Sequence, residues 1–431
     1  MASYISFGKY NNLYKYIWIY LIINIIYDYI FGNTFPNQMK FSIFETNNYP
    51  PNILIQQGFN YIGSFILSIF IFIYERSQIG DNNNLMSNFL KKHNFHNTLI
   101  YQKEKTFIEL IFKILPIAFI SVISVQLINN ILNIGLTGLD FWMFDLFFIA
   151  YVNYLKFGKE IFNHKKFAIL LVLIFATLFK ASSTFVYIFD DSFDLIYKKY
   201  VLLIPLGSIG YIFSSLLRNY SLCKIKWLLD YKYISIGTFL LIYNFIGTIM
   251  ILIPSLVVNN NKCVDKNTFK DINTICHIEI KSGNNVEYYY DNFSYFVKQL
   301  WREDKEIGIN VLYTILFCLG IILDFIRTVI SILLIKHLNP ECYLCSWELY
   351  YFIIRLFNLV TAIIENENIL LNIFNFLAEI VSVLGIMVYL ELIEIKFHQL
   401  DYNLRKNIEL RSMEEYDEED KEEENKDVEK E

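Results

Sequence analysis

The chain has 431 residues, of which 55% are hydrophobic, 18% aromatic and only 19% charged, and its mean hydropathy is +0.36. A soluble domain carries about 25% charged residues, so this is a membrane composition rather than that of a soluble enzyme or a nucleic-acid-binding module. The net charge of −6 is unevenly placed: Glu414 to Glu431 hold twelve acidic residues and three Lys, which leaves −9 there and +3 over the rest.

Ten apolar runs are long enough to cross a bilayer, at 16–31, 52–74, 108–132, 139–157, 167–187, 200–218, 234–258, 308–336, 342–364 and 369–395. A helix needs about 20 residues to span the hydrocarbon core, and continuous apolar runs in lipid are helices because every backbone group must be satisfied internally. The fold class expected is therefore an all-α polytopic membrane protein. The first run lacks a small-residue cleavage site and contains Asp28, so it reads as a spanning helix rather than a signal peptide. It also carries Asn24, one turn before Asp28. The third run holds Ser121, Gln126, Asn129, Asn130 and Asn133, and the fourth holds Asp140 and Asp145. Pro116, Pro205 and Pro254 lie inside runs as kinks or tolerated bends, and Gly237 and Gly247 on the seventh permit close helix contact.

Between the seventh and eighth runs lies a polar loop, 259–307. Tyr288, Tyr289, Tyr290, Phe293, Phe296, Leu300 and Trp301 alternate there with Asp291, Lys298, Arg302 and Glu303, as in an amphipathic helix at the membrane interface. Asn292-Phe293-Ser294 is a glycosylation acceptor triplet, which makes Asn292 the candidate acceptor. Cys263 and Cys276 fall in the same loop and are expected to pair if it faces an oxidising compartment, for about 3 kcal/mol by the loop-closure estimate. Cys342 and Cys345 have the spacing of half a zinc site but no second pair beside them.

The eighth run, Gly308 to Lys336, is the most informative. Asp324 and Arg327 sit near its middle, and a spacing of three puts them on one helical face that Thr328 and Ser331 continue. A charge facing lipid at that depth costs roughly 2.5–3.5 kcal/mol on insertion scales, so this face must meet other helices or a hydrated cavity. The ninth run carries Glu348, Arg355, Asn358 and Thr361, and the tenth carries Glu379. Asp324, Arg327, Arg355 and Glu379 are the charged groups placed nearest the midplane. Two readings fit them: a neutral structural network that locks helices together, or a solute pathway in which Asp324 accepts a coupled proton. The candidate cavity set is Asp324, Arg327, Arg355, Glu379, Asn24, Gln126, Asn129, Asn130, Asp145 and Glu348. All six His lie in loops or at run ends, and no phosphate-cradling glycine loop occurs. Catalysis, ATP-driven transport, a cofactor and a bound metal are therefore not expected.

Orientation follows from Lys and Arg. Before the C-terminal tail, sixteen fall on the side shared with the N-terminus, against three in the short opposite loops and seven in 259–307. Positive-inside bias places both termini in the cytosol. Long connections follow the second and seventh runs, so the chain divides into two five-helix halves of opposite orientation, 1–195 and 196–396, with 397–431 as a solvated acidic tail.

Three stretches carry a family likeness: Pro116 to Lys166, with its polar third helix and Lys-rich link; Lys226-Trp-Leu-Leu-Asp-Tyr-Lys-Tyr-Ile-Ser between the sixth and seventh runs; and Lys336-His-Leu-Asn-Pro340 at the end of the eighth. The pattern resembles the drug/metabolite transporter superfamily, in particular its chloroquine-resistance-transporter-like branch, with nucleotide-sugar-transporter-like members next. Two departures are the presence of only two Cys in the large loop and the charged pair Asp324 and Arg327. The resemblance implies ten helices in an inverted repeat, a central cavity and alternating access, with a small polar metabolite as the partner. The alternative is a multipass receptor or scaffold that moves nothing.

Overall fold

A computed structural model of the protein describes residues 11–31, 53–81, 107–122, 144–158, 160–189, 203–230, 234–259, 278–282, 285–289, 291–302, 305–393 and the single positions 395, 402, 404 and 407. Every expected run contains a helix. In chain order these are α1 (Asn11–Phe31), α2 (Ile53–Asp81), α3 (Phe107–Ser121), α4 (Phe144–Phe157), α5 (Asn163–Leu171) and α6 (Thr177–Phe189), the last two joined by a π-helical turn, Val172–Ala176. Then follow α7 (Leu203–Asp230), α8 (Ile236–Asn259), β1 (Ile278–Ser282), β2 (Asn285–Tyr289), α9 (Phe293–Leu300), α10 (Ile307–His337), α11 (Pro340–Glu365) and α12 (Ile369–Tyr389). Among the described residues six stretches are long and apolar enough to cross a membrane: Leu54–Glu75, Asn163–Val186, Ile236–Val257, Ile307–His337, Pro340–Glu365 and Ile369–Tyr389. The protein is a helical, multi-pass membrane protein.

Its surface supports that conclusion. Phe70, Phe112, Phe185 and Ile364 point outward, while Ser68, Asp145, Asn219, Asn244 and Glu348 are buried. A soluble protein hides large apolar side chains and solvates such polar ones. Here lipid takes the outside, and the polar groups must be satisfied within.

Local chemistry sets the element ends. Asn339 is extended before Pro340, which starts α11 where a missing N–H is harmless. Asn366 and Asn368, at φ 56° and 51°, make the left-handed turn from α11 to α12, a conformation asparagine tolerates better than most residues. Two expectations are corrected. The sixth run does not end at 218: α7 continues to Asp230, and Lys226 is not in a link but inside the helix. There its Nζ reaches Asp230 at 2.7 Å and donates to the carbonyls of Lys336 (2.7 Å) and Leu338 (2.9 Å), satisfying the C-terminus of α10. The last run stops as a helix at Tyr389 rather than 395.

The large loop departs from an all-helical reading. β1 and β2 pair antiparallel from Ile278↔Tyr289 to Ser282↔Asn285, so Tyr288 and Tyr289 belong to a strand and only Phe293–Leu300 forms the expected amphipathic helix. The intervening sequence, Gly283-Asn284, is of the type hairpin loops favour. Asn292 caps α9 by accepting from the Tyr295 amide at 3.0 Å. Several contacts among the described residues tie the loop to the bundle. Asp291 Oδ2 accepts from the Leu54 amide at 2.7 Å in the first turn of α2, where a carboxylate complements the helix dipole. Asn310 brackets the Arg302 backbone at 3.1 and 2.8 Å. Phe296 is buried among apolar side chains of α1, α2 and α10. Cys263 and Cys276 lie outside the described residues, as does the acidic tail beyond position 407.

Cross-helix contacts give each pair its direction. On α2 and α8, Glu75 meets Gly237, Ser68 meets Asn244 and Tyr61 meets Gly247, an antiparallel order. A Cβ at Gly247 would collide with the Tyr61 ring, so glycine is what allows this approach. The α5–α6 span and α12 are also antiparallel: Ala168 and Val172 lie against Gly385, and Lys180 Nζ donates to Asn375 Oδ1 at 3.0 Å. α1 runs antiparallel to α10, with Phe31 beside Phe317 and Tyr27 beside Arg327. α1 runs parallel to α11, and α4 parallel to α7 through Asp145 with Asn219 and Asn153 with Cys223. These directions agree with a chain that reverses at each successive span.

Candidate functional site

α10 presents one polar face to the centre of the bundle. Thr328 Oγ1 donates to the Asp324 carbonyl at 3.0 Å and Ser331 Oγ to the Thr328 carbonyl at 2.7 Å, which satisfies both hydroxyls within the helix. Arg327 forms an ion pair with Asp324, and its guanidinium lies 4.4 Å from the centre of the Tyr27 ring, within cation–π range. The two side chains remain 28% and 15% exposed, so the pair borders open space.

That space is a cavity of about 360 Å³. Around it α1 supplies Tyr20 and Tyr27, and α2 supplies Gln57, Asn60, Tyr61 and Ser64, which share one helical face by their spacing. α8 adds Phe239, Tyr243 and Asn244, α7 adds Arg218, Ser221, Leu222 and Ile225, and α11 adds Tyr343 and Trp347. Ser121 of α3 closes one wall through a 2.7 Å hydrogen bond with the Tyr243 hydroxyl. The size falls within the range typical of small-molecule sites. Phe31, Phe59, Phe296 and Phe317 pack as a cluster one turn from Tyr27, two turns from Asp324 and next to Asn60. Phe59 stacks on Phe296 at 5.3 Å, and Phe317 meets both edge-on at 5.9 and 5.5 Å.

A second polar group lies beside the cavity. Asp145 on α4 is fully buried, ion-paired with Arg218, and accepts from Ser215 and from Asn219 Nδ2, the latter at 2.6 Å. Arg218 therefore lines the cavity with its charge already matched. Asn153 donates to Glu341 Oε1 at 2.6 Å and accepts from the Cys223 thiol at 3.3 Å. Glu348 on α11 and Glu379 on α12 lie close enough to interact, and Arg218 is the nearby cation.

Of the sequence-predicted set, Asp324 and Arg327 line the cavity. Asp145, Glu348 and Glu379 are placed in the adjoining network instead, and Arg355 is half-buried on α11 and not among the lining residues. Asn24 also lies off the cavity; its Nδ2 donates to the Tyr20 carbonyl at 2.8 Å, a bond within its own helix. Gln126, Asn129 and Asn130 fall outside the described residues. The sequence reading missed the α2 face, although 57, 60, 61 and 64 recur at helical spacing within one run. It also missed Arg218, taken for a cytosolic end charge, and the buried Lys180. Among the described residues no cluster of His, Cys, Asp and Glu suits a metal. Compared with known proteins, the chain matches no family model and no curated sequence.

Proposed function

We propose that this protein is a ten-span transporter that moves a small polar metabolite through the central cavity by alternating access. The observation that carries the reading is the cavity itself: neutral polar groups, aromatic rings and the Asp324–Arg327 pair converge from seven helices of an otherwise apolar bundle. Polar groups at membrane depth that face open space, rather than only each other, fit a solute pathway.

The pattern of helix contacts supports an inverted repeat. Counting α5 and α6 as one span and setting α9 aside, a shift of five spans exchanges α1–α10 with α7–α3, α1–α11 with α7–α4, and α3–α8 with α10–α2, and all of these pairs touch. The α2–α8 pair and the α5/α6–α12 pair map onto themselves and are antiparallel, as a two-fold axis in the membrane plane requires. The resemblance to drug/metabolite transporters leads to the same architecture. Purified protein in proteoliposomes, assayed with a panel of radiolabelled metabolites, tests the reading. A transporter accumulates or exchanges at least one solute above protein-free vesicles; a receptor or scaffold moves none.

A further inference from the structure

Among the described residues, three charged side chains line the cavity, and their balance is restrictive. Arg218 is matched by Asp145 behind the wall, and Asp324 and Arg327 match each other. The second pair is the accessible one. A solute with a lone carboxylate would bring a second negative charge to the one accessible cation, and a lone amine a second positive charge to the one accessible anion. Either leaves an unbalanced charge in a cavity whose water the bound solute has displaced, which is strongly unfavourable. A solute carrying both charges meets neither penalty. Its ammonium sits against Asp324 and its carboxylate against Arg327, so four charges alternate and every one keeps an opposite neighbour. The guanidinium suits a carboxylate because its N–H groups form a planar fork.

Two further observations indicate a polar ligand with an apolar body. Gln57 Oε1 and Trp347 Nε1, on lining residues, are buried without a hydrogen-bond partner among the described residues, so the wall retains an acceptor and a donor unused by the protein. The rings of Tyr20, Tyr27 and Tyr343 supply flat apolar surface beside them.

We propose that the cavity selects net-neutral zwitterions, small solutes with an ammonium and a carboxylate a few ångströms apart, over analogues bearing only one of those charges. This rests on the transport reading for its biological meaning, but its test separates the two. Binding of radiolabelled alanine and phenylalanine to the purified full-length protein is compared with propionate and ethylamine, and with 3-phenylpropionate and phenethylamine, which keep each carbon skeleton while removing one charge. Uptake is measured in parallel alongside sugars and nucleosides. At least one zwitterion is expected to bind ten-fold or more tightly than both its analogues. D324N shifts preference ten-fold or more toward the carboxylate, and R327Q shifts it toward the amine. If either variant fails to fold, the double neutral D324N/R327Q replaces it and must lose the discrimination. Equal binding of zwitterion and analogues, or an unchanged preference in folded variants, overturns the inference. So does a sugar or nucleoside being carried while no zwitterion binds, and in that case transport stands. Selective zwitterion binding with no solute moved leaves the site intact and refutes transport. Neither binding nor movement refutes both.

Discussion

Two ion pairs in this bundle share a chemistry and differ in surroundings. Asp145 is fully buried and held by Arg218, Ser215 and Asn219, whereas Asp324 and Arg327 keep part of their surface in the cavity. Removing one partner of a buried pair strands a charge, at a cost of about 3–5 kcal/mol. Asp145→Ala should therefore lower the yield of folded protein and its thermal midpoint sharply, and Asp145→Asn, which keeps a side-chain acceptor for Ser215 and Asn219, should do so less. Arg327→Ala strands Asp324 beside open space that water can enter, so folded protein should persist while uptake falls. Size-exclusion profiles and transport measured on the same preparations check both. Should Arg327→Ala instead abolish folding, and the Asp324→Ala/Arg327→Ala double restore it, the pair would be structural and the cavity would lose its central feature.

At the scale of elements, α9 and the α11–α12 turn show how local chemistry shapes the site. α9 lies in a loop, yet Phe296 is 2% exposed because it fills the space between Phe31, Phe59 and Phe317. Truncating a phenylalanine in such packing costs about 3–5 kcal/mol when the surroundings cannot collapse. Phe296→Ala is expected to loosen that end of the cavity. A cysteine placed at Asn60, in a chain with Cys318 replaced by Ser, should react several-fold faster with a membrane-impermeant thiol reagent applied from the loop side. An unchanged rate would show that the cluster does not limit access. In the turn, Asn366 at φ 56° occupies a region that a β-branched side chain enters only at a cost of roughly 1–2 kcal/mol. Asn366→Val should lower the melting temperature, while Asn366→Gly should leave it unchanged or raise it.

For the whole molecule, the helix directions and the placement of Lys and Arg lead to one testable topology. Epitope tags at residue 2 and residue 431 are expected on the same, cytosolic side, and a tag near Gly283 on the other. Protease protection in sealed vesicles measures this, and termini on opposite sides would refute the ten-span count together with the inverted repeat. The proposed repeat also accounts for the crowding of polar groups near the centre. α2 and α8 face each other across the proposed axis, and their buried Ser64, Ser68 and Asn244 hydrogen-bond there instead of meeting lipid.

Span positions were legible because hydropathy in a bilayer reports depth along one axis, and a long apolar run has few other stable conformations in lipid. The Asp324–Arg327–Thr328–Ser331 face was legible because helical spacing alone aligns it. What each face meets was not. Glu348 and Glu379 lie on helices joined by a short turn and still face one another rather than the cavity. Gln57, Asn60, Tyr61 and Ser64 belong to a helix 260 or more residues before Asp324 and line the same cavity. Arg218 sat at the expected end of a run, and only the continuation of α7 to Asp230 carried it inside to Asp145. The sequence by itself determined that the apolar runs hold helices and that α10 has one polar face. Only the tertiary structure decided how those helices are rotated against one another, because rotation about the axis is set by close packing and polar pairing between segments, which no single run contains.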